Sequence, residues 1–399
     1  MQFDTIGWFA ISVDVLGRFW PVWIAMAICL ALSFGFRNKL GLYGDLFKIG
    51  VGVAGVVICL FWLFTAVFAP IIAPFDPLNQ VAAMKDALPG TAVPDGSGIY
   101  YFGGDMLARD VFSRMVYGSR IVMLIAPFAT AFSLIVGIGL GLPAGYYGGR
   151  VDSVLCFLAN LVLAFPVILM LYLLVTPEIR QLSFDNWFSE ATGIGVSIPR
   201  SLAALIFLFT TIFFLTLFST RFKDRRDRYY LLIGLTILIG CWINAGLVFD
   251  ADPLGIVHID PNQLNIFVAV VLGSSPGLFR IVRGLTMDIK TRDYVAAAQT
   301  RGESVWYIML WEVLPNARGP LIVDACLRVG YTTILLGTLG YFGLGVPPES
   351  PDWGTAIKDA SRLLRAYIHP ALPPALALLS FVLGLNLLAD ALREQSMKD

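Results

Sequence analysis

The chain has 399 residues, 57% of them hydrophobic and 14% charged, and its 28 basic and 28 acidic side chains cancel to a net charge of zero. An ordinary soluble domain carries about 25% charged residues, so this chain lacks the polar surface to cover a water-soluble globule, as its mean hydropathy of +0.77 also says. Zero net charge excludes nucleic-acid binding, which needs a basic face, and two histidines, His258 and His369, leave little for a metal site.

A span needs roughly 20 apolar residues to cross about 30 Å of hydrocarbon. In chain order, charge-free runs occur at 19–36, 49–75, 121–149, 153–177, 201–220, 229–249, 261–279, 329–348 and 370–389. Eight read as spans. The first, short and interrupted at Pro21, either spans or lies along the surface. The fold class is therefore an all-α polytopic membrane protein. Asp4 and Asp14 stand where a signal peptide would be basic, so no removable leader is expected. Cys29, Cys59, Cys156, Cys241 and Cys326 form no CxxC pair and sit in or beside apolar runs, as inert thiols do.

Lys and Arg concentrate on cytoplasmic loops. With 37–48 inside, the inside segments carry 17 basic and 11 acidic side chains and the outside segments 10 and 16. The zero net charge thus divides into +6 inside and −6 outside, and the C-terminus is cytoplasmic. The flipped topology would put the basic segment Arg221–Arg228 outside, against the rule.

Outside, 74–118 is rich in Pro and Gly and composed for turns rather than for a core of its own. Inside, 280–318 is a long polar platform. It holds Asp293-Tyr294-Val295-Ala296-Ala297-Ala298-Gln299-Thr300-Arg301-Gly302, then a second helix over 303–312, then Leu314-Pro315-Asn316. Small residues at 296–298 offer a surface that another backbone can approach. Gly302 suits a turn in left-handed geometry, and Pro315 is a stop. A helix–turn–helix at the membrane face is a docking device; an ordinary amphipathic loop is the other reading.

This segment resembles the EAA loop of ABC-importer permeases: Ala297, Ala298, Gly302, Leu314 and Pro315 match in register, and Asn316 fits the Leu-Pro-Asn of the dipeptide/oligopeptide/nickel branch. Further matches are Phe102-Gly-Gly-Asp105, the stretch from Arg109 and Asp110 through Ser113, Arg114 and Gly118 to Arg120, Gly145–Asp152, Phe342–Gly345 with Pro351–Gly354, and Asp390–Arg393. Departures are Ala296 for the usual glutamate, Glu312 for histidine, Gly104 for threonine and Ala108 for glycine. The resemblance implies a type I ABC-importer core of six spans, here with two inserted spans and a possible N-terminal one. The chain then divides into 1–48 (N-terminal segment), 49–120 (first core span and external loop), 121–177 with 262–393 (core, with coupling loop 284–318) and 178–261 (inserted hairpin, its spans within 201–249). An even number of inserted spans keeps the EAA-like loop inside.

The chain has no phosphate loop and no Gly-Lys dipeptide, so it is not expected to bind a cofactor or act as an enzyme; ATP would be used by partner subunits. The partners the resemblance implies are a second permease, two ATPase subunits, an external solute-binding protein and membrane lipid, in a bacterial inner membrane, with peptides or related small solutes as cargo. Asp324 and Arg328, at i and i+4, form the intramembrane pair, read as an interfacial salt bridge or, more sharply, as a gate. Pro127, Pro166 and Pro276 are packing kinks or hinges. Arg280 and Arg283 anchor a span end at headgroups or orient the platform. Asp105, Arg109 and Asp110 contact the binding protein or make turns, and Trp353 on an interfacial helix is a belt anchor. A self-sufficient secondary transporter or channel, and more remotely a membrane enzyme, are the other function classes. Neither the substrate-binding residues nor the solute can be read from the sequence.

Overall fold

The computed structural model describes residues 5–39, 41–175, 198–223, 225–249, 252, 260–344 and 350–396. The whole 178–197 link, His258 and Gly345 lie outside the described residues. The main helices are α1 (Trp8–Arg18), α2 (Trp20–Gly35), α3 (Gly50–Val67), α4 (Val111–Tyr147), α5 (Gly149–Ala164), α6 (Val167–Val175), α7 (Ile198–Phe222), α8 (Arg226–Phe249) and α9 (Pro261–Ile289). After them come α10 (Asp293–Thr300), a helical run α11 over 305–316, α12 (Arg318–Phe342), α13 (Trp353–Ser361) and α14 (Leu372–Ser396).

Among the described residues seven helices are long and apolar enough to cross a membrane, and α1 with α2, bent by 53°, makes an eighth if the pair is one span. The expected span 153–177 is instead two helices, α5 and α6. Phe165 before Pro166 is extended (φ −84°, ψ 127°) because the proline ring excludes helical geometry from the residue ahead of it. Pro127 and Pro276 lie inside continuous helices, α4 and α9.

The chain forms two compact units, residues 1–127 with 326–399, and residues 128–325. In the first, α3 and α14 close on small residues: a Cβ on Gly55 would lie 2.7 Å from the Leu388 nitrogen, and one on Gly384 2.7 Å from the Ile58 side chain. Trp62 Nε1 donates to Ser380 Oγ at 3.0 Å across the same pair. The turn-rich segment before α4 does have a core of its own, against expectation. Strands β1 (Thr91–Ala92) and β2 (Ile99–Tyr100) pair antiparallel, with Thr91 opposite Tyr100. Met84, Val93 and Tyr100 are buried there against Phe75, Val81 and Ala87. The turns fold the chain back on itself, so apolar residues far too sparse to pattern a helix still meet.

In the second unit, Gly137, Gly141 and Gly145 of α4 face Leu278, Val282 and Thr286 of α9. Cβ atoms on the three glycines would come within 2.6, 2.7 and 2.6 Å of those side chains. Two rows at i, i+4, i+8 interlock, and absent side chains on one helix admit full ones on the other. Helix α8 closes on α7 the same way, with Gly240 against Thr211 at 2.4 Å from a built Cβ.

Candidate functional site

Helices α10 and α11 are joined by a tight turn. Gly302 has φ +78°, the left-handed region that a side chain strains to occupy. The Gly302 N–H donates to Gln299 O at 3.0 Å and the Glu303 N–H to Ala298 O at 3.3 Å, the paired bonds of a Schellman stop. Ser304 then caps α11, its Oγ accepting from the Tyr307 N–H at 3.3 Å. Across the turn, Arg301 Nη2 donates to Glu312 Oε1 at 2.9 Å.

Of the three alanines, Ala296 and Ala297 are exposed, whereas Ala298 is buried with Val295. The approachable face is therefore 293, 294, 296, 297 and 302, and Ala298 belongs to the core rather than to the surface. Asp293 is exposed in the first turn of α10, where a carboxylate suits the helix dipole. Tyr294 is 38% exposed and Trp306 40%, which leaves apolar area on the same platform.

Within α11, Ile308–Val313 is π-helical, and the turns Val305–Tyr307 and Leu314–Asn316 flank it. The wider turn lets Ile308, Met309, Leu310 and Val313 all face inward, four of six residues. Pro315 does not end the helix as expected. It sits in the first turn of Leu314–Asn316, where no intrahelical N–H is required. Leu314 packs half-buried on the core, while Pro315 and Asn316 are exposed, with Asn316 Nδ2 on Glu312 O at 2.6 Å.

The platform is tied to α4 and α9. Val295, Ala298, Ile308 and Val313 share one core with Leu142, Val282 and Ile289. Lys290 Nζ donates to the last carbonyls of α4, Gly145 O at 2.7 Å and Tyr146 O at 3.2 Å, and Gln299 Nε2 to Tyr146 Oη at 3.0 Å. Arg283, expected at lipid headgroups or orienting the platform, makes a two-pronged pair with Asp152 (Nη2 to Oδ2 2.6 Å, and Nε to Oδ1). Arg280 donates to Asn160 at 2.7 Å. Both arginines thus bind side chains of α5, and the Arg283 hydrogen bond holds the Asp152 carboxyl below its usual range.

The second cluster of named residues lies in the first unit. Asp105 accepts from the Leu107 and Arg109 N–H groups at 2.8 and 2.9 Å and from Arg109 Nε at 2.7 Å; Arg109 Nη2 reaches Asp359 at 2.8 Å. Arg114 stands 3.7 Å from Asp105 and 3.9 Å from Asp359, and donates to Ser350 O at 3.3 Å. Asp110 Oδ2 accepts from Ser113 N and Oγ at 2.9 and 2.6 Å. Asp105, Arg109, Asp110, Ser113 and Arg114 are all 5% exposed or less, so they make the fold and do not present side chains to a binding protein.

Trp353 is 1% exposed, Nε1 donating to Met115 O at 2.8 Å, and is not a belt anchor. Gly118 makes room for it: a Cβ there would lie 2.5 Å from the indole. Asp352 caps α13 through the Gly354 and Thr355 N–H groups at 2.7 and 3.0 Å. Asp324 and Arg328 are half-buried on α12, four residues apart. The interlocking glycines at 137, 141 and 145 escaped the sequence reading, although their four-residue spacing in an apolar run was visible.

Residues 137–396 match the family described as binding-protein-dependent transport system inner membrane component. The dipeptide transport system permease protein of Haemophilus influenzae is 26% identical over 364 residues, 91% of this chain and 96% of that protein. The di/tripeptide transport system permease protein of Pseudomonas aeruginosa is 28% identical over 86% of each chain. The glutathione transport system permease protein of Pectobacterium atrosepticum is 25% identical over 86% of this chain and 85% of that one.

Proposed function

The chain belongs to the binding-protein-dependent transport system inner membrane component family, and on that premise we propose that it forms a solute pathway with a second permease, driven by two ATPase subunits, one of which is docked on α10 and α11. It is a permease subunit of an ABC importer, a multi-pass membrane protein and not the subunit that carries out catalysis. An external solute-binding protein delivers the cargo. Relatives named for dipeptides, di/tripeptides and glutathione support peptides or related small solutes as that cargo. The C-terminus and the platform are cytoplasmic, as the +6 and −6 division of charge supports. This chain binds no cofactor, and ATP is used on the partner subunits.

The observation that carries this reading is the geometry of the platform: two short helices locked at a fixed angle by a Schellman turn, with small side chains outward at Ala296 and Ala297. A helix pair rooted in α4 and α9 by a shared core transmits a push as a rigid lever. Alternating access follows when the ATPases close on ATP and turn these helices. The solute site then belongs to the pathway shared with the second permease. A hollow of about 480 Å³ in the first unit is lined by Trp8, Phe19, Phe61 and Leu376 among others, which offer a peptide backbone few hydrogen-bond partners.

The test is capture of the ATPase subunits by the purified chain, with uptake measured in liposomes holding the whole importer. Ala297→Trp adds bulk to an exposed position and is expected to abolish capture and uptake with no change in melting temperature. Full capture and uptake in that variant would overturn the docking assignment. The chain alone under a proton gradient is expected to move no solute.

A further inference from the structure

The inserted hairpin lies outside the resemblance, yet its first helix is built into the platform. Phe207 of α7 stacks on Phe267 of α9 with ring centroids 5.8 Å apart, and Phe132 of α4 meets them edge-on at 5.2 and 5.3 Å. Phe209 fills the space left by Gly139 of α4, where a Cβ would come within 2.6 Å of its ring. Phe213 and Leu217, one turn apart on the same face, pack against the core beneath α10 and α11. At the end of α7, Thr220 Oγ1 accepts from Trp311 Nε1 at 3.1 Å. The Arg221 guanidinium lies 4.8 Å from the centroid of the same indole, and its Nη1 donates to Tyr307 Oη at 3.3 Å. The next basic residues, Lys223, Arg225, Arg226 and Arg228, are exposed.

A hairpin added only as lipid-facing bulk has no need of polar contacts at its tip, and a cation–aromatic contact at the water boundary adds little to overall stability. It does orient: the indole of Trp311 is held on one edge by a hydroxyl and on one face by a cation, and Tyr307, four residues earlier, is held by the same arginine. We propose that α7 is a strut of the coupling platform, and that Thr220 and Arg221 are positioning residues that make α11 move together with α7. Through Phe207 and Phe209 that motion reaches α4 and α9. The inserted helix is thus part of the transmission between ATP hydrolysis and the membrane helices. This inference rests on the docking role of α10 and α11.

The experiment uses the complete importer in liposomes and reads solute moved per ATP hydrolysed. Thr220→Val with Arg221→Ala is expected to keep the ATPase subunits bound and basal hydrolysis intact while the ratio falls about two- to fivefold, the scale of losing an exposed cation–aromatic contact. Arg221→Lys, which restores the cation, is expected to recover most of the ratio. Amide hydrogen exchange is expected to quicken in 305–313 and stay unchanged in 293–300. If the double variant fails to assemble, Trp311→Phe, which keeps a ring and deletes the N–H donor, decides on the same ratio. An unchanged ratio in these variants, with Ala297→Trp still losing the ATPases, overturns the strut alone; retention of the ATPases by Ala297→Trp instead removes the docking reading on which it stands.

Discussion

Asp110 shows how a single buried carboxyl sets a pH response. It is fully buried, Oδ1 has no hydrogen-bond partner, and burial pushes its pKa up to about 6 even though the Ser113 N–H and hydroxyl hold it down. The folded state keeps the proton up to about pH 6, whereas an unfolded carboxyl releases it near 3.8. Between those values the folded state binds more protons, so raising the pH costs stability, by about 3 kcal/mol in all for a group with no other change. Melting in detergent from pH 4 to 7 is expected to show this fall, and Asp110→Asn to lack it. Two departures from the resembling family also find their reasons here. Ala108 occupies φ +61°, which explains why glycine is usual at that place. Gly104 would put a Cβ 2.0 Å from the Met84 carbonyl oxygen, so the threonine common elsewhere does not fit this backbone. Gly104→Thr, although it moves the chain toward its family, is expected to lower stability by about 1–3 kcal/mol, read as a drop in melting temperature.

Helices in this protein were legible as apolar runs, but their partners were not. The runs at 121–149 and 261–279 announce α4 and α9, and only the structure pairs Gly141 with Val282. Gly141→Leu is expected to cost about 1–3 kcal/mol in thermal unfolding because a backbone-to-side-chain contact has nowhere to move. Gly234→Leu on α8, with nothing within 4 Å of its built Cβ, is the control and is expected to change stability by about 0.5 kcal/mol or less. The same limit explains the corrections. Ala297 and Ala298 are identical in type, and helical phase against a core decides which is buried. Trp353 has the side chain of a belt anchor, yet the gap at Gly118 and the carbonyl of Met115 draw it inside. Arg283 faces a carboxylate 131 positions earlier, a separation no local pattern encodes.

At the scale of the whole molecule, the division of charge makes a direct forecast. A single cysteine at Ser97, in a background without the native cysteines, is expected to react with an impermeant maleimide added to intact cells. One at Arg301 or Arg225 is expected to react only after permeabilisation, and the reverse pattern would invert the topology. The all-α membrane class, most of the long apolar helices and the turn at Gly302 were available from composition, periodicity and spacing, because hydrocarbon demands long apolar helices and left-handed geometry favours glycine. The buried charge cluster around Arg109, the interlocked glycines and the grip of Thr220 and Arg221 on Trp311 were decided by tertiary structure alone. Each joins residues remote in sequence, and such contacts depend on how close two helices can approach and on which polar groups that approach removes from water.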